Sequence, residues 1–223
     1  VSTPPTNVKH QLFLQFARIG KALANANRLA IIETLAQGER SVDALAKVSG
    51  LSVANVSQHL QQLRQAGLVD NRKHGQYVYY RLSGDDVIGL LNAVRTVADR
   101  HLADVSRLVE NYLDSKDELE PVSADELLHR LERGEITVID VRPEQEYRAG
   151  HLPGAVNVPL SRLRQHMTTL PVDVEIIAYC RGPYCVLSYD AVAELRARGF
   201  RARRLENGYP EWRIAGMPVE TSF

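Results

Sequence analysis

Both cysteines of the chain fall in one stretch, Val174-Glu-Ile-Ile-Ala-Tyr-Cys180-Arg181-Gly182-Pro-Tyr184-Cys185-Val-Leu-Ser188. Val174 to Ala178 is apolar and β-branched and reads as a buried strand that ends at Cys180. A Gly-Pro pair follows, and then a helical pattern (Leu187, Ala191, Val192, Leu195) closed by Gly199. A sulfur on the turn from a strand into a helix lies against backbone N–H groups and the positive end of a helix dipole, which favour a thiolate. Such a thiolate can attack a substrate, and a second thiol in the same loop can resolve what it forms.

The elements that must position this loop come from the rest of the chain. Its 223 residues allow two domains, and 44% hydrophobic with 24% charged residues is a globular balance. No apolar run is long enough to span a bilayer and no signal pattern opens the chain, so a cytoplasmic protein with free thiols is expected. Net charge is zero, which excludes a uniformly basic nucleic-acid binder. The charge is unevenly spread, however. From 40 to 81, Arg40, Lys47, Arg64, Arg72, Lys73 and Arg81 face only Asp43 and Asp70, a basic segment able to meet DNA.

Residues 1–7 read as a disordered lead-in. Helical spacing follows from Val8 to Leu23, then a helix capped at Asn27 and ended by Gly38. Two shorter helices open at Ser41 and Ser52 with Gly50 between them, the outline of a helix-turn-helix. Asn71 to Leu82 reads as a basic β-hairpin tipped by Gly75, and a capping box at Ser83 starts one long helix to about Leu113. The strings Leu51-Ser-Val-Ala-Asn-Val-Ser57-Gln-His59-Leu60 and Leu63-Arg-Gln-Ala-Gly67-Leu-Val69, with the Gly75-Gln-Tyr-Val-Tyr-Tyr80 wing, resemble the arsenical-resistance-repressor (ArsR) family of winged-helix repressors over residues 8–113. The resemblance implies a homodimer, held by its first and last helices, on an inverted-repeat operator in double-stranded DNA. Ser52, Asn55, Ser57, Gln58 and His59 would reach bases or phosphates from the recognition helix, and Arg72 and Lys73 would contact phosphate from the wing.

Members of that family often sense metals. Here no cysteine stands between Arg40 and Lys47. Asp99 and His101 match half of a second known site, but Tyr112 and Ser115 occupy its other half. Half a tetrahedral site does not hold zinc, so no metal and no cofactor is expected.

Residues 114–121 are charged and end in proline, the best linker in the chain. Beyond it, from residue 122 to 223, strands alternate with helices, which implies a parallel sheet. Asp140-Val-Arg142 and Cys180 fall at strand ends, where such sheets gather function. The string from Asp140 to Pro159, with Tyr179-Cys180-Arg-Gly and Asn207-Gly-Tyr-Pro-Glu-Trp212, resembles a single-domain rhodanese, a sulfurtransferase module. The fold expected is therefore two domains, a mainly α winged helix-turn-helix followed by an α/β rhodanese-like domain. By the resemblance, Cys180 takes sulfane sulfur as a persulfide from thiosulfate, polysulfide or a persulfide, with the N–H groups of the loop through Gly182 and Tyr184 around it. Arg181 would attract an anionic donor, Arg142 would help at the rim, and Asp140 would hold the loop scaffold. Phosphatase chemistry on a related fold needs Cys-x5-Arg, and Val186 stands where that Arg would be. Cys185 admits two readings: a small residue packed in the first helical turn, or a resolving thiol.

Three functions compete. One is a repressor that senses or transfers reactive sulfur, another a sulfurtransferase targeted by its winged helix, and the third a regulator whose rhodanese module only binds ligand.

Overall fold

The computed structural model describes residues 5–114 and 119–222, so residues 115–118 of the expected linker and 1–4 of the expected lead-in lie outside it. The chain divides into two compact units, Val1–Leu91 and Asn92–Phe223. Among the described residues no helix is long and apolar enough to cross a membrane.

The first helix, α1 (Pro5–Leu23), begins inside the stretch expected to be disordered. Leu12, Phe13 and Phe16 on it are more than half exposed. The next, α2 (Ala26–Ala36), is capped by Asn25 rather than Asn27. Asn25 has an extended backbone and turns its side-chain oxygen onto the Arg28 N–H at 3.2 Å, a geometry closed to Asn27 within the helix. Ser41 and Ser52 cap α3 (Val42–Ser49) and α4 (Val53–Gln65), and Gly50 between them takes φ 69°, a left-handed turn that favours glycine. Ile31, Ile32, Leu45, Val56, Leu60 and Leu63 interlock as the core of this unit.

The wing forms as a hairpin of β2 (Val69–His74) and β3 (Tyr77–Leu82) turning at Gly75, with φ 60°. A two-residue strand, β1 (Arg40–Ser41), adds antiparallel to β3 in the order β1-β3-β2. It is too short to leave a periodic signal in sequence.

The single helix expected from Ser83 to Leu113 is instead broken. Ser83 lies three residues before the helix, its hydroxyl donating to the Gly67 carbonyl at 2.7 Å, and α5 runs Asp86–His101. Leu102 leaves the helix at φ −110°, ψ 100°, and α6 (Ala103–Leu108) runs on into a wider π-type turn, Val109–Asp114. Charge favours the break: Arg100 and His101 lie in the last turn of α5, and Asp104 lies in the first turn of α6.

The remainder of the second unit winds around a four-stranded parallel sheet. In chain order it comprises α7 (Ala124–Glu132), β4 (Ile136–Asp140), α8 (Glu144–Ala149), β5 (Val156–Asn157), α9 (Leu163–His166), β6 (Glu175–Tyr179), α10 (Val186–Arg196), β7 (Ala202–Arg204) and α11 (Tyr209–Ile214). The strand order is β5-β4-β6-β7. Both faces of β6 are buried. Ile176 and Ala178 join Leu163, Ala191 and Leu195 on one side, while Ile177 and Tyr179 join Leu127, Leu152 and Trp212 on the other. That explains a continuous apolar run in place of an alternating one.

Arg130 and Arg203 share Glu126 and Glu175 in a cluster linking α7, β6 and β7. At Glu175 burial opposes ionisation, but hydrogen bonds from Arg203 and Arg130 outweigh it and hold the carboxyl below its ordinary 4.5. At Glu126 the Arg203 hydrogen bond leads, in the same direction. A carboxyl depressed in the folded state stabilises above its unfolded pKa and loses that contribution as pH falls through the folded value. Urea midpoints are therefore expected to drop on acidification below 4.5, and Arg203→Gln should flatten that slope. The more exposed Glu126 pairs add only about 0.2–1 kcal/mol, and an unchanged slope in the variant would exclude the cluster as its source.

Candidate functional site

The carboxyl ends of β4 and β6 are neighbours in the sheet, with Asp140 in register with Tyr179, so their following loops share one rim. Cys180 is the first residue beyond β6 and is 2% exposed. From there the chain turns through Gly182, whose carbonyl accepts the Cys185 N–H at 3.1 Å, and enters α10 with Cys185 as its N-cap. This short loop brings the Cα atoms of Cys180 and Cys185 to 6.1 Å, and the two sulfurs are joined as a disulfide. The expectation of two free thiols is corrected. A six-residue turn between a strand end and a helix start leaves the second side chain facing the first.

Other residues hold the loop from below. The Tyr209 N–H donates to the Cys180 carbonyl at 3.1 Å, and the Gly208 backbone passes so close that a Cβ there would stand 2.3 Å from the Gly182 nitrogen. Only glycine fits at that crossing. Glu211 accepts from the Gly208 N–H at 3.1 Å and pairs with Arg95 at 3.3 Å; burial pushes its carboxyl up. The Tyr184 hydroxyl donates to Asp99, and burial, then that hydrogen bond, push its phenol up.

Arg142 is not at the rim. It is fully buried, with Nη2 2.5 Å from Asp140 Oδ2 and 2.7 Å from the Gly150 carbonyl, and it lies over the rings of Tyr209 and Tyr179. Burial opposes its charge, yet the hydrogen bond and charge of Asp140 outweigh this and raise its pKa. Asp140 also accepts from the Tyr179 hydroxyl at 2.5 Å, and burial, then the Asp140 charge, hold that phenol well above its ordinary value. Asp140 and Arg142 thus join the ends of β4 and β6 from within.

Arg181 has a partner that the sequence did not disclose. Its Nε and Nη2 donate to the two carboxylate oxygens of Glu146 at 2.9 and 2.8 Å, and Glu146 is 1% exposed. Glu146 stands in a six-residue helix too short for a readable periodicity. Tyr179, Gly208 and Glu211 were also missed as loop supports. Gly208 alone had a sequence cue, a glycine before the Tyr-Pro start of α11.

On α4, Asn55, Ser57 and Gln58 are exposed opposite the buried Val56, Leu60 and Leu63. Ser52 is exposed at the start of the helix and caps it, accepting the Asn55 N–H at 3.2 Å. His59 is half-buried, and its Nδ1 is buried without a hydrogen-bond partner among the described residues. On the wing, Lys73 and Arg72 are both exposed, and Arg72 also donates to Glu39 at 2.7 and 2.5 Å and lies over Tyr79. Among the described residues no three His, Cys, Asp or Glu side chains gather as a metal site.

Two family models match this chain: bacterial regulatory protein, arsR family, over residues 25–71, and rhodanese-like domain over residues 123–215. The HTH-type transcriptional regulator Rv0324 of Mycobacterium tuberculosis is 47% identical over 212 residues, covering 95% of this chain and 93% of that one. A homodimeric winged helix-turn-helix DNA-binding domain from Mycobacterium bovis is 44% identical, covering 47% of this chain and 94% of its own, with TM-score 0.42. A rhodanese-related protein from Thermoplasma volcanium is 27% identical, covering 46% and 98%, with TM-score 0.42. With a relative matched along nearly its whole length and both models in order, the chain belongs to the ArsR family of HTH-type, DNA-binding transcriptional regulators, with a rhodanese-like domain joined to the winged helix.

Proposed function

We propose that this regulator is a repressor whose reactive loop takes sulfane sulfur onto Cys180 and reports it as a change in operator affinity. The observation that carries the reading is the Cys180–Cys185 disulfide on the turn between β6 and α10. The Cys180 thiolate attacks the terminal sulfur of a donor R–S–SH; the donor S–S bond breaks, RS⁻ leaves and takes a proton, and Cys180 carries the persulfide. The Cys185 thiolate then attacks the Cys180 sulfur, the disulfide forms, and HS⁻ leaves. Two thiols are oxidised by two electrons and the donor is the oxidant, so no further reagent is needed.

Residues 8–113 serve as the DNA-binding and dimerisation domain and 122–223 as the rhodanese-like domain. Asn55, Ser57 and Gln58 are the base-reading candidates, because they are exposed on the capped helix of the helix-turn-helix. The exposed Leu12, Phe13 and Phe16 of α1 offer the apolar surface that a second copy would cover.

Operator binding measured before and after a hydropersulfide tests the reading. The wild type is expected to shift its affinity on the order of tenfold, with release of one sulfide per chain. Cys185→Ser should retain the persulfide and release no sulfide. An operator affinity indifferent to the donor, alongside continued sulfur transfer to cyanide, would make the chain a targeted sulfurtransferase instead.

A further inference from the structure

We infer that the loop selects sulfane donors that carry no oxyanion head, so that organic hydropersulfides load Cys180 and thiosulfate does so poorly. The inference rests on Cys180 accepting sulfane sulfur, as proposed above.

It comes from counting the positive groups that could face an anion. Among the described residues, three guanidinium groups lie in the loop, beneath it or against it and are each answered by a carboxylate, while Arg204 at the end of β7 lies over the Tyr189 ring at 3.7 Å. Arg181 is held two-pronged by Glu146. Arg142 is enclosed with Asp140 and exposes nothing. Arg95, whose Nη1 would stand 3.5 Å from a Cβ on Gly182, is paired with Glu211. No net cation remains among these three pairs to offset a dianion.

The backbone supplies fewer donors than the loop length implies. Pro183 has no N–H, and the Cys185 N–H is committed to the Gly182 carbonyl at 3.1 Å. The remaining amides and the start of α10 must already stabilise one negative charge, the attacking thiolate. Thiosulfate would bring two more charges to a nearly buried sulfur, where repulsion is weakly screened. A hydropersulfide with an uncharged carbon skeleton brings one at most.

For the chemistry, the Cys180 thiolate displaces RS⁻ from R–S–SH, or sulfite from thiosulfate, so both donors give the same persulfide and a direct comparison is possible. The experiment uses the full-length Cys185→Ser chain, reduced, with 2-hydroxyethyl hydropersulfide or thiosulfate. Persulfide formation is followed by intact-protein mass. Each rate is divided by that of a small thiol with the same donor, which removes intrinsic reactivity. The normalised preference for the hydropersulfide is expected to be on the order of a hundredfold, and raising ionic strength should narrow it by speeding thiosulfate alone.

Glu146→Gln releases Arg181 and should narrow the preference about tenfold; if that variant does not fold, Tyr184→Arg, which adds a cation on the loop, should do the same. Thiosulfate loading within tenfold of the hydropersulfide would overturn the inference and leave the proposed function standing. Loading by neither donor would overturn both.

Discussion

Replacing Cys180 by serine is expected to abolish sulfur loading, disulfide formation and the donor-dependent change in operator affinity together, while leaving DNA binding in the absence of donor intact. The one remaining thiol is expected not to substitute. Cys185 is the chain's remaining cysteine, and without Cys180 it has no intramolecular partner. Serine keeps the size of the side chain, and the Cys180 backbone carbonyl still accepts from Tyr209 at 3.1 Å, so the turn survives. Rates of persulfide formation should fall by at least about a thousandfold, because a hydroxyl with neither a lowered pKa nor a base is a poor nucleophile. Intact-protein mass after hydropersulfide treatment reads this directly. Added sulfur on Cys180→Ser, at Cys185 and at wild-type rate, would transfer the nucleophile's role to Cys185.

The second large effect is on stability. Arg142→Met is expected to cost about 3–5 kcal/mol, because it strands the Asp140 carboxylate in the interior beside the Tyr179 hydroxyl. The Gly150 carbonyl loses its 2.7 Å donor as well. Removing both charges with Asp140→Leu and Arg142→Met should recover a substantial part of the loss, since the double variant buries no unpaired ion. Urea denaturation of the wild type and the two variants measures both numbers. A single-variant loss below about 1 kcal/mol would mean that water reaches Asp140 and the pair is not sealed.

How far the sequence could be read depended on the range of the interaction. Helix starts written by one side chain, such as Ser41 and Ser52, were legible because the cap and its N–H target lie three residues apart. The parallel sheet was legible because strands alternate with helices, and β6 was legible within it because burial on both faces leaves an unbroken apolar run. Asn25 was misread because the choice between two nearby asparagines rests on backbone conformation. The break at Leu102 was missed because leucine gives no local sign of leaving a helix.

The cysteine pair was visible because both sulfurs lie in one short loop. The partners that set the loop's electrostatics were not. Glu146 reaches Arg181 across 35 residues, and Tyr179 reaches Asp140 across 39. Such contacts are made by the fold, and a reading of neighbouring residues assigned Arg142 to the rim and Arg181 to the donor, whereas the structure pairs both with carboxylates.

The small ring closed by Cys180 and Cys185 has a consequence for the denatured chain. A cross-link stabilises a fold chiefly by removing freedom from the unfolded ensemble, and a ring this small removes little. Loop-closure arguments give roughly 2 kcal/mol, against roughly 4.7 for a hundred-residue loop. The bond therefore differs from the staples of secreted domains, on which folding itself depends. With packed cores in both units, newly made chains can fold with the thiols reduced, and a later oxidation is written onto a structure that already exists. Under the proposed function, reductants would then erase it without the chain passing through an unfolded state, and the mark would be reversible on the timescale of thiol exchange rather than of protein synthesis.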